Sequence, residues 1–201
     1  MSRKQGNYMN KRVKENFFKK SKEINVRARS YFKLEQLDNK FKLFKDVHTV
    51  LDLGCAPGGW VQYINKTHPH IAVTGVDLLP IRHQHEFNEN TRFIEDDFHN
   101  LNDYLEENEQ FDLIISDMAP EFSGDSKIDR GRVHDLNHTT LKLCDIYLKE
   151  GGNVVFKSFG GSDLEGVRKV ALRMFKEVKE YKPHSSDTKS PEFFIVCFHK
   201  K

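Results

Sequence analysis

Short apolar runs and amphipathic stretches alternate along this chain. Runs at Thr49–Leu53, Ile71–Val76, Arg92–Ile94, Phe111–Ser116, Asn153–Phe156 and Phe193–Phe198 are rich in β-formers, and several are apolar throughout. A strand with one wet face alternates, whereas a parallel strand buried on both faces reads as a continuous apolar run. Between these runs apolar residues recur every three to four positions. The pattern spans Ser30–Phe44 (through Tyr31, Leu34, Leu37, Phe41 and Phe44), Gly59–Lys66, Asn100–Glu107, Val133–Leu148 and Leu164–Phe175, which is the spacing of helices with one buried stripe. Strands alternating with helices predict an α/β doubly wound sheet that binds its ligands at the carboxyl ends of the strands. Val178–Tyr181 adds a late strand, from which a polar stretch starting at Pro183 returns the chain to Phe193–Phe198 as an antiparallel edge.

Composition narrows the classes. A chain of 201 residues with 37% hydrophobic residues and 16 Phe can bury a full core, so one folded domain is expected. The longest unbroken apolar run is Phe193–Phe198, far below the ~20 residues of a membrane helix, and no apolar signal-peptide core follows the N-terminus. Cys55, Cys144 and Cys197 lie far apart with no CxxC spacing, which argues against a disulfide framework and suits a reducing, intracellular compartment, cytoplasmic or organellar. Charge is unevenly spread: residues 1–45 carry 14 Lys and Arg against 4 Asp and Glu, the remainder 18 against 26. Residues 1–26 therefore read as a basic segment, either an arm that neutralises nucleic-acid phosphates or an organelle-targeting segment, ahead of a domain over 27–201.

Chemistry concentrates at the predicted strand ends. Val50-Leu51-Asp52-Leu53-Gly54-Cys55-Ala56-Pro57-Gly58-Gly59-Trp60 closes one strand and opens a helix. It is neither GxGxxG nor a P-loop, but its glycines let backbone approach a ligand at a helix N-terminus. Asp77 ends the next strand, 23 residues after Gly54, where a carboxylate can accept from both hydroxyls of a ribose. Asp96-Asp97-Phe98 ends the third strand at the same sheet edge, within reach of an adenine amine. Each acid could instead cap a helix, Trp60 fits a core aromatic as well as a ligand contact, and Cys55 fits a small packing residue better than a reactive thiol. His68-x-His70 and His83-x-His85 lack partner ligands at metal spacing; they are read as surface residues, and no metal is expected.

Arg27-Ala28-Arg29-Ser30-Tyr31-Phe32-Lys33-Leu34, Leu51–Trp60, Val76-Asp77-Leu78-Leu79-Pro80, Ser116-Asp117-Met118-Ala119-Pro120, Val155-Phe156-Lys157 and Ser190-Pro191-Glu192 together resemble the FtsJ/RrmJ family of S-adenosylmethionine-dependent RNA 2′-O-ribose methyltransferases. The resemblance runs from about residue 27 to the end. It implies a Rossmann-like, seven-stranded, mostly parallel sheet with an antiparallel last strand, S-adenosylmethionine as cofactor and RNA as partner. It further implies a catalytic tetrad of Lys33, Asp117, Lys157 and Glu192, with Lys157 orienting the hydroxyl and taking its proton. Cofactor contacts carry over to Gly54, Gly58, Trp60, Asp77, Asp97 and Asp117, and Arg27 and Arg29 adjoin the Lys33 helix where RNA phosphates would lie. The short ribosomal-RNA uridine branch looks nearest; a transfer-RNA anticodon-loop enzyme or an idle RNA-binding assembly factor are the alternatives. Phe193-Phe194 after Glu192, and Pro191 before it, depart from the family's usual pattern and bear on the path of that strand.

Overall fold

The computed structural model describes residues 26–160, 164–187 and 190–201. Apart from Val26, the basic segment lies outside the described residues. The elements are α1 (Tyr31–Phe41), β1 (Thr49–Leu53), α2 (Gly59–Thr67), β2 (Ala72–Asp77), β3 (Thr91–Glu95), β4 (Phe111–Ser116), α3 (Ser126–Tyr147), β5 (Leu148–Phe159), α4 (Leu164–Met174), β6 (Phe175–Tyr181) and β7 (Glu192–Lys200). They build a seven-stranded sheet in the order β3-β2-β1-β4-β5-β7-β6. Strands β1 to β5 pair in parallel, and β7 runs antiparallel to both neighbours, β5 and β6.

The continuous apolar runs are explained by cores on both faces. Side chains alternate across a strand, so Val50, Leu113, Ile115, Val155, Phe194 and Val196 join one core, with α1 and α2 supplying Phe32, Leu34, Leu37, Trp60 and Ile64. Leu51, Leu53, Ile114, Val154, Phe156, Ile195 and Cys197 join the other, with Leu141 and Cys144 of α3 and Val167 and Ala171 of α4. Among the described residues no helix is long and apolar enough to cross a membrane.

Four elements differ from the sequence reading. Helix α1 stops at Phe41, where Lys42 turns left-handed at φ 55° and returns its N–H to the Asp38 carbonyl; Leu43 and Phe44 are buried beyond that turn. A 3₁₀ helix over Phe98–Asp103 takes the place of the helix expected over Asn100–Glu107; Asp97 caps it by accepting from His99 N, and Leu101 is its one buried residue. Helix α3 begins seven residues before Val133, on Asp125, whose carboxylate accepts from Lys127 N and Ile128 N; its first two turns are exposed and so carry no apolar signal. The last strand is not an edge: β7 inserts between β5 and β6, and the expected Val178–Tyr181 strand, lengthened to β6, takes the edge. At the far end of α3, Lys200 Nζ donates to the carbonyls of Cys144, Asp145 and Leu148 at 2.7–2.8 Å, which satisfies acceptors that a helix C-terminus leaves open.

Candidate active site

The turn after β1 is shaped by what glycine permits. Gly54 sits at φ 75°, and a Cβ there would lie 2.4 Å from Met118 Cγ, so the loop after β4 closes over this turn only because residue 54 has no side chain. Gly54 N and Cys55 N both donate to the Val76 carbonyl. Asp77, ending β2, holds the turn from the other side: Oδ2 accepts Ala56 N at 2.8 Å and Oδ1 accepts Leu79 N at 2.9 Å. Cys55 is buried against Gly75, where an added Cβ would meet its Sγ at 2.9 Å. Burial pushes its thiol pKa up, which makes it a packing residue.

A cleft of about 340 Å³ opens over the carboxyl ends of β1, β2 and β4, lined among others by Gly54, Asp77, Asp96, Phe98, Asp117 and Met118. That volume is at the lower end of small-molecule sites. Three of its lining side chains are carboxylates, acceptors for a ligand rich in hydroxyls, amines or positive charge.

Four charged side chains from distant parts of the chain, Asp117 among them, converge beside the cleft. Lys157 Nζ lies 3.0 Å from Asp117 Oδ1 and also donates to the Asp117 carbonyl. Lys33 Nζ lies 3.4 Å from the same Oδ1 and 2.8 Å from Glu192 Oε1. Both lysine side chains are under 10% exposed, and the acids are 18% and 14% exposed. Charges this sheltered require partners, and here two cations and two anions supply them to each other. Burial alone would raise the Glu192 carboxyl, but the hydrogen bond and charge of Lys33, with help from Ser186 and Lys157, hold it below its ordinary value.

The other expected site residues divide. Gly54, Asp77 and Asp117 line the cleft. Trp60 is 2% exposed, its indole N–H donating to the Ser30 carbonyl at 2.8 Å, so its side chain belongs to the core and only its main chain, in the first turn of α2, remains to meet a ligand. Gly58 caps α2 at φ 97°; a Cβ there would strike the Phe87 ring at 2.7 Å. Asp97 turns its carboxylate to His99, accepting the backbone N–H at 2.9 Å and facing the ring nitrogen at 2.6 Å. Its neighbour Asp96 is the one lining the cleft. The hydroxyl of Tyr104 donates to Asp96 at 2.6 Å and, with Asp97 N and Asn100, keeps that carboxyl below its ordinary pKa.

Arg27, expected at RNA phosphates, is engaged within the protein. Its guanidinium donates to the carbonyls of Arg82 and His83, pairs with Glu86 at 2.8 Å and lies 4.5 Å over the Phe87 ring. It braces the loop after β2. Arg29 is exposed and makes one long contact, 3.4 Å to the Ser185 carbonyl. His83, His85 and Glu86 gather within 4.8 Å of one another on that loop, all exposed, with Glu86 held by Arg27.

Two residues escaped sequence reasoning. Asp96 was masked by the equally placed Asp97. Asp52, an acid inside an apolar strand, carried its own signal, since a lone buried charge is costly. It is 1% exposed under the glycine turn and its Oδ2 has no hydrogen-bond partner. Burial, then the charges of Asp117 and Asp77, raise its pKa well above the ordinary range, which favours the protonated acid.

Comparison with known proteins follows the same line. Residues 26–200 match the FtsJ-like methyltransferase family. The chain is 38% identical over 188 residues to the ribosomal RNA large subunit methyltransferase E of Brachyspira hyodysenteriae, covering 93% of this chain and 96% of that one. It is 38% identical over 194 residues to the protein of the same name in Bdellovibrio bacteriovorus, covering 94% and 97%. Among solved structures, a ribosomal RNA methyltransferase of Plasmodium falciparum superposes with a TM-score of 0.74 at 26% identity, over 87% of this chain and 98% of that one.

Proposed function

The chain belongs to the FtsJ-like methyltransferase family and is an RNA methyltransferase, and from that premise we propose that it transfers the methyl group of S-adenosylmethionine to a ribose 2′-hydroxyl of uridine in large-subunit ribosomal RNA. The observation that carries this reading is the convergence of Lys33, Asp117, Lys157 and Glu192 beside the cleft.

The cleft fits that cofactor in its donor set. Asp77 offers acceptors to a ribose diol, Asp96 to an adenine amine, and Asp117 a negative charge to a sulfonium or ammonium group. Main-chain N–H groups of the first turn of α2, which lack intrahelical acceptors, suit a carboxylate. When bound, S-adenosylmethionine supplies an electrophilic methyl group on a sulfonium whose departure leaves a neutral sulfide.

A ribose hydroxyl is a weak nucleophile until its proton is managed. Lys157 Nζ is held by the Asp117 carboxylate and carbonyl, so in its neutral form its lone pair is aimed by two fixed partners and can take that proton as the oxygen attacks. Lys33 bridges Asp117 and Glu192 and keeps both carboxylates in place while charge moves between the hydroxyl and the amine. The rest of the acceleration comes from alignment of oxygen and methyl group.

The deciding experiment supplies tritiated S-adenosylmethionine and unmodified large-subunit ribosomal RNA, then hydrolyses the product in alkali. Alkaline cleavage needs a free 2′-hydroxyl, so label on a 2′-oxygen survives in alkali-resistant dinucleotides, and nucleoside analysis of those yields 2′-O-methyluridine. Label released in mononucleotides would mean base methylation and would overturn the proposal.

A further inference from the structure

A second cleft, about 290 Å³, opens next to the four charged residues, lined among others by Phe122, Ser126, Arg130, Phe159 and Pro191. We infer that it receives the nucleobase of the target nucleotide, turned out of its stack, against the exposed face of the Phe122 ring, which Phe159 braces edge-on. This rests on the 2′-hydroxyl reading above, because it asks where the base must go once its ribose reaches Lys157.

Position is the first argument. Phe159 is two residues beyond Lys157 on β5, and residues two apart project to the same side of a strand; Lys157 Nζ is 5.9 Å from the centre of the Phe159 ring. Pro191 immediately precedes Glu192. The cleft lined by Asp117 and the cleft lined by Phe159 and Pro191 thus both adjoin the same group of four side chains. Methyl transfer needs separate places for donor and acceptor about the moving group, and two distinct clefts beside one charged cluster supply them.

The second argument is how Phe122 is held. It is a large apolar side chain, 53% exposed, on the loop between β4 and α3. Its two chain neighbours are tied to the first turns of α3: the Glu121 carbonyl accepts from Arg132, and Ser123 N and Oγ donate to the Asp129 carboxylate at 2.7 and 2.8 Å. The Phe122 and Phe159 rings meet edge to face, centroids 5.1 Å apart at 80°. An exposed aromatic on a backbone pinned at both sides is a preorganised stacking platform, the means by which proteins take up unstacked bases. Arg130, exposed at the rim with its Nε on the Ser126 carbonyl, adds a cation at the mouth of the cleft, where the flanking phosphates would pass.

The test is steady-state methyl transfer to ribosomal RNA by the wild type and by Phe122→Ala, Phe122→Leu and Phe122→Trp. Residue 122 is exposed, so none of these changes should cost the fold. Base stacking on an aromatic ring predicts that Phe122→Ala lowers kcat/KM for RNA roughly 5- to 100-fold while KM for S-adenosylmethionine stays put. Phe122→Trp should recover to within about threefold and Phe122→Leu should not, because bulk without a π-face cannot stack. Wild-type kcat/KM in Phe122→Ala, recovery by Leu equal to that by Trp, or a parallel rise in KM for S-adenosylmethionine would each overturn the inference. A wild-type enzyme that labels RNA only on bases would instead refute the 2′-hydroxyl reading, and the two failures are separable in one assay.

Discussion

Replacing Lys157 by alanine removes one amine and little else from the candidate active site. The lost group is the one 3.0 Å from Asp117 Oδ1 that also donates to the Asp117 carbonyl. Positioned proton transfer is typically worth 10²–10⁴ in rate, which at 1.36 kcal/mol per decade is about 2.7–5.5 kcal/mol of barrier. Folding should suffer less. Stranding a buried charge by deleting its partner costs about 3–5 kcal/mol, but Asp117 keeps Lys33 at 3.4 Å and is 18% exposed, so a loss of about 1–2 kcal/mol is expected. Single-turnover transfer of tritiated methyl groups at saturating RNA should fall at least 100-fold, with calorimetric affinity for S-adenosylhomocysteine within about threefold of wild type. Lys157→Met, which keeps the length of the side chain, should behave as the alanine variant does. A Lys157→Ala enzyme with more than a tenth of wild-type turnover, a barrier change under about 1.4 kcal/mol, would refute the assignment.

Asp77→Ala should weaken S-adenosylhomocysteine binding by about 1.5–3 kcal/mol, the worth of charge-assisted hydrogen bonds; unchanged calorimetric affinity would remove Asp77 from the site. Asp112 joins the starts of β1, β4 and β5 by accepting from His48 N, Thr49 N and Lys149 Nζ; burial opposes ionisation, but Lys149, His48 and Thr49 outweigh it and hold the carboxyl at about 2 against an ordinary 3.8. A depressed carboxyl stabilises the fold above its unfolded pKa and loses that contribution as pH falls through its folded one. Asp112→Asn should therefore cost about 1–2 kcal/mol in urea unfolding at pH 6, with the gap to wild type closing between about pH 4 and 2; a gap that does not depend on pH would show that the charge is irrelevant. The two arginines should separate: Arg27→Ala lowers the melting temperature by several degrees with RNA affinity per folded molecule retained, while Arg29→Ala leaves melting unchanged and reduces the slope of log K against log salt by roughly one. Equal effects of the two on RNA binding would mean that the brace around Arg27 opens in the complex.

How far the chain could be read follows from which forces act locally. The parallel strands were legible because burial on two faces writes apolar runs such as Phe111–Ser116, and the glycine turn because the contact of Gly54 with Met118 tolerates no side chain. The first turns of α3 were not, since Asp125 and Asp129 organise them with polar contacts while their surface stays wet. Motif resemblance placed Lys33 and Glu192 in one site, but neither residue announces its destination: a lysine in an amphipathic helix and an acid at the start of a strand have ordinary local roles. Trp60 was ambiguous for the opposite reason, being a residue type equally suited to ligands and to interiors, and the internal partners of Arg27 on the loop after β2 have no local signature at all. The second cleft was invisible because Phe122, Arg130, Phe159 and Pro191 belong to four segments with no shared periodicity.

The insertion of β7 between β5 and β6 dictates an order of events during synthesis. Edge strand β6 pairs with β7 and with no other strand among the described residues, and β7, which follows β6 in the chain, also carries Glu192 to Lys33. A nascent chain that has emerged only as far as β6 therefore exposes an unpaired β5 edge and an unanchored β6, a state open to pairing with other chains, and it lacks one of its four charged residues. Pairing of β7 and assembly of the candidate active site are one step, so a polypeptide stopped at β6 lacks the four-residue cluster proposed to act on RNA.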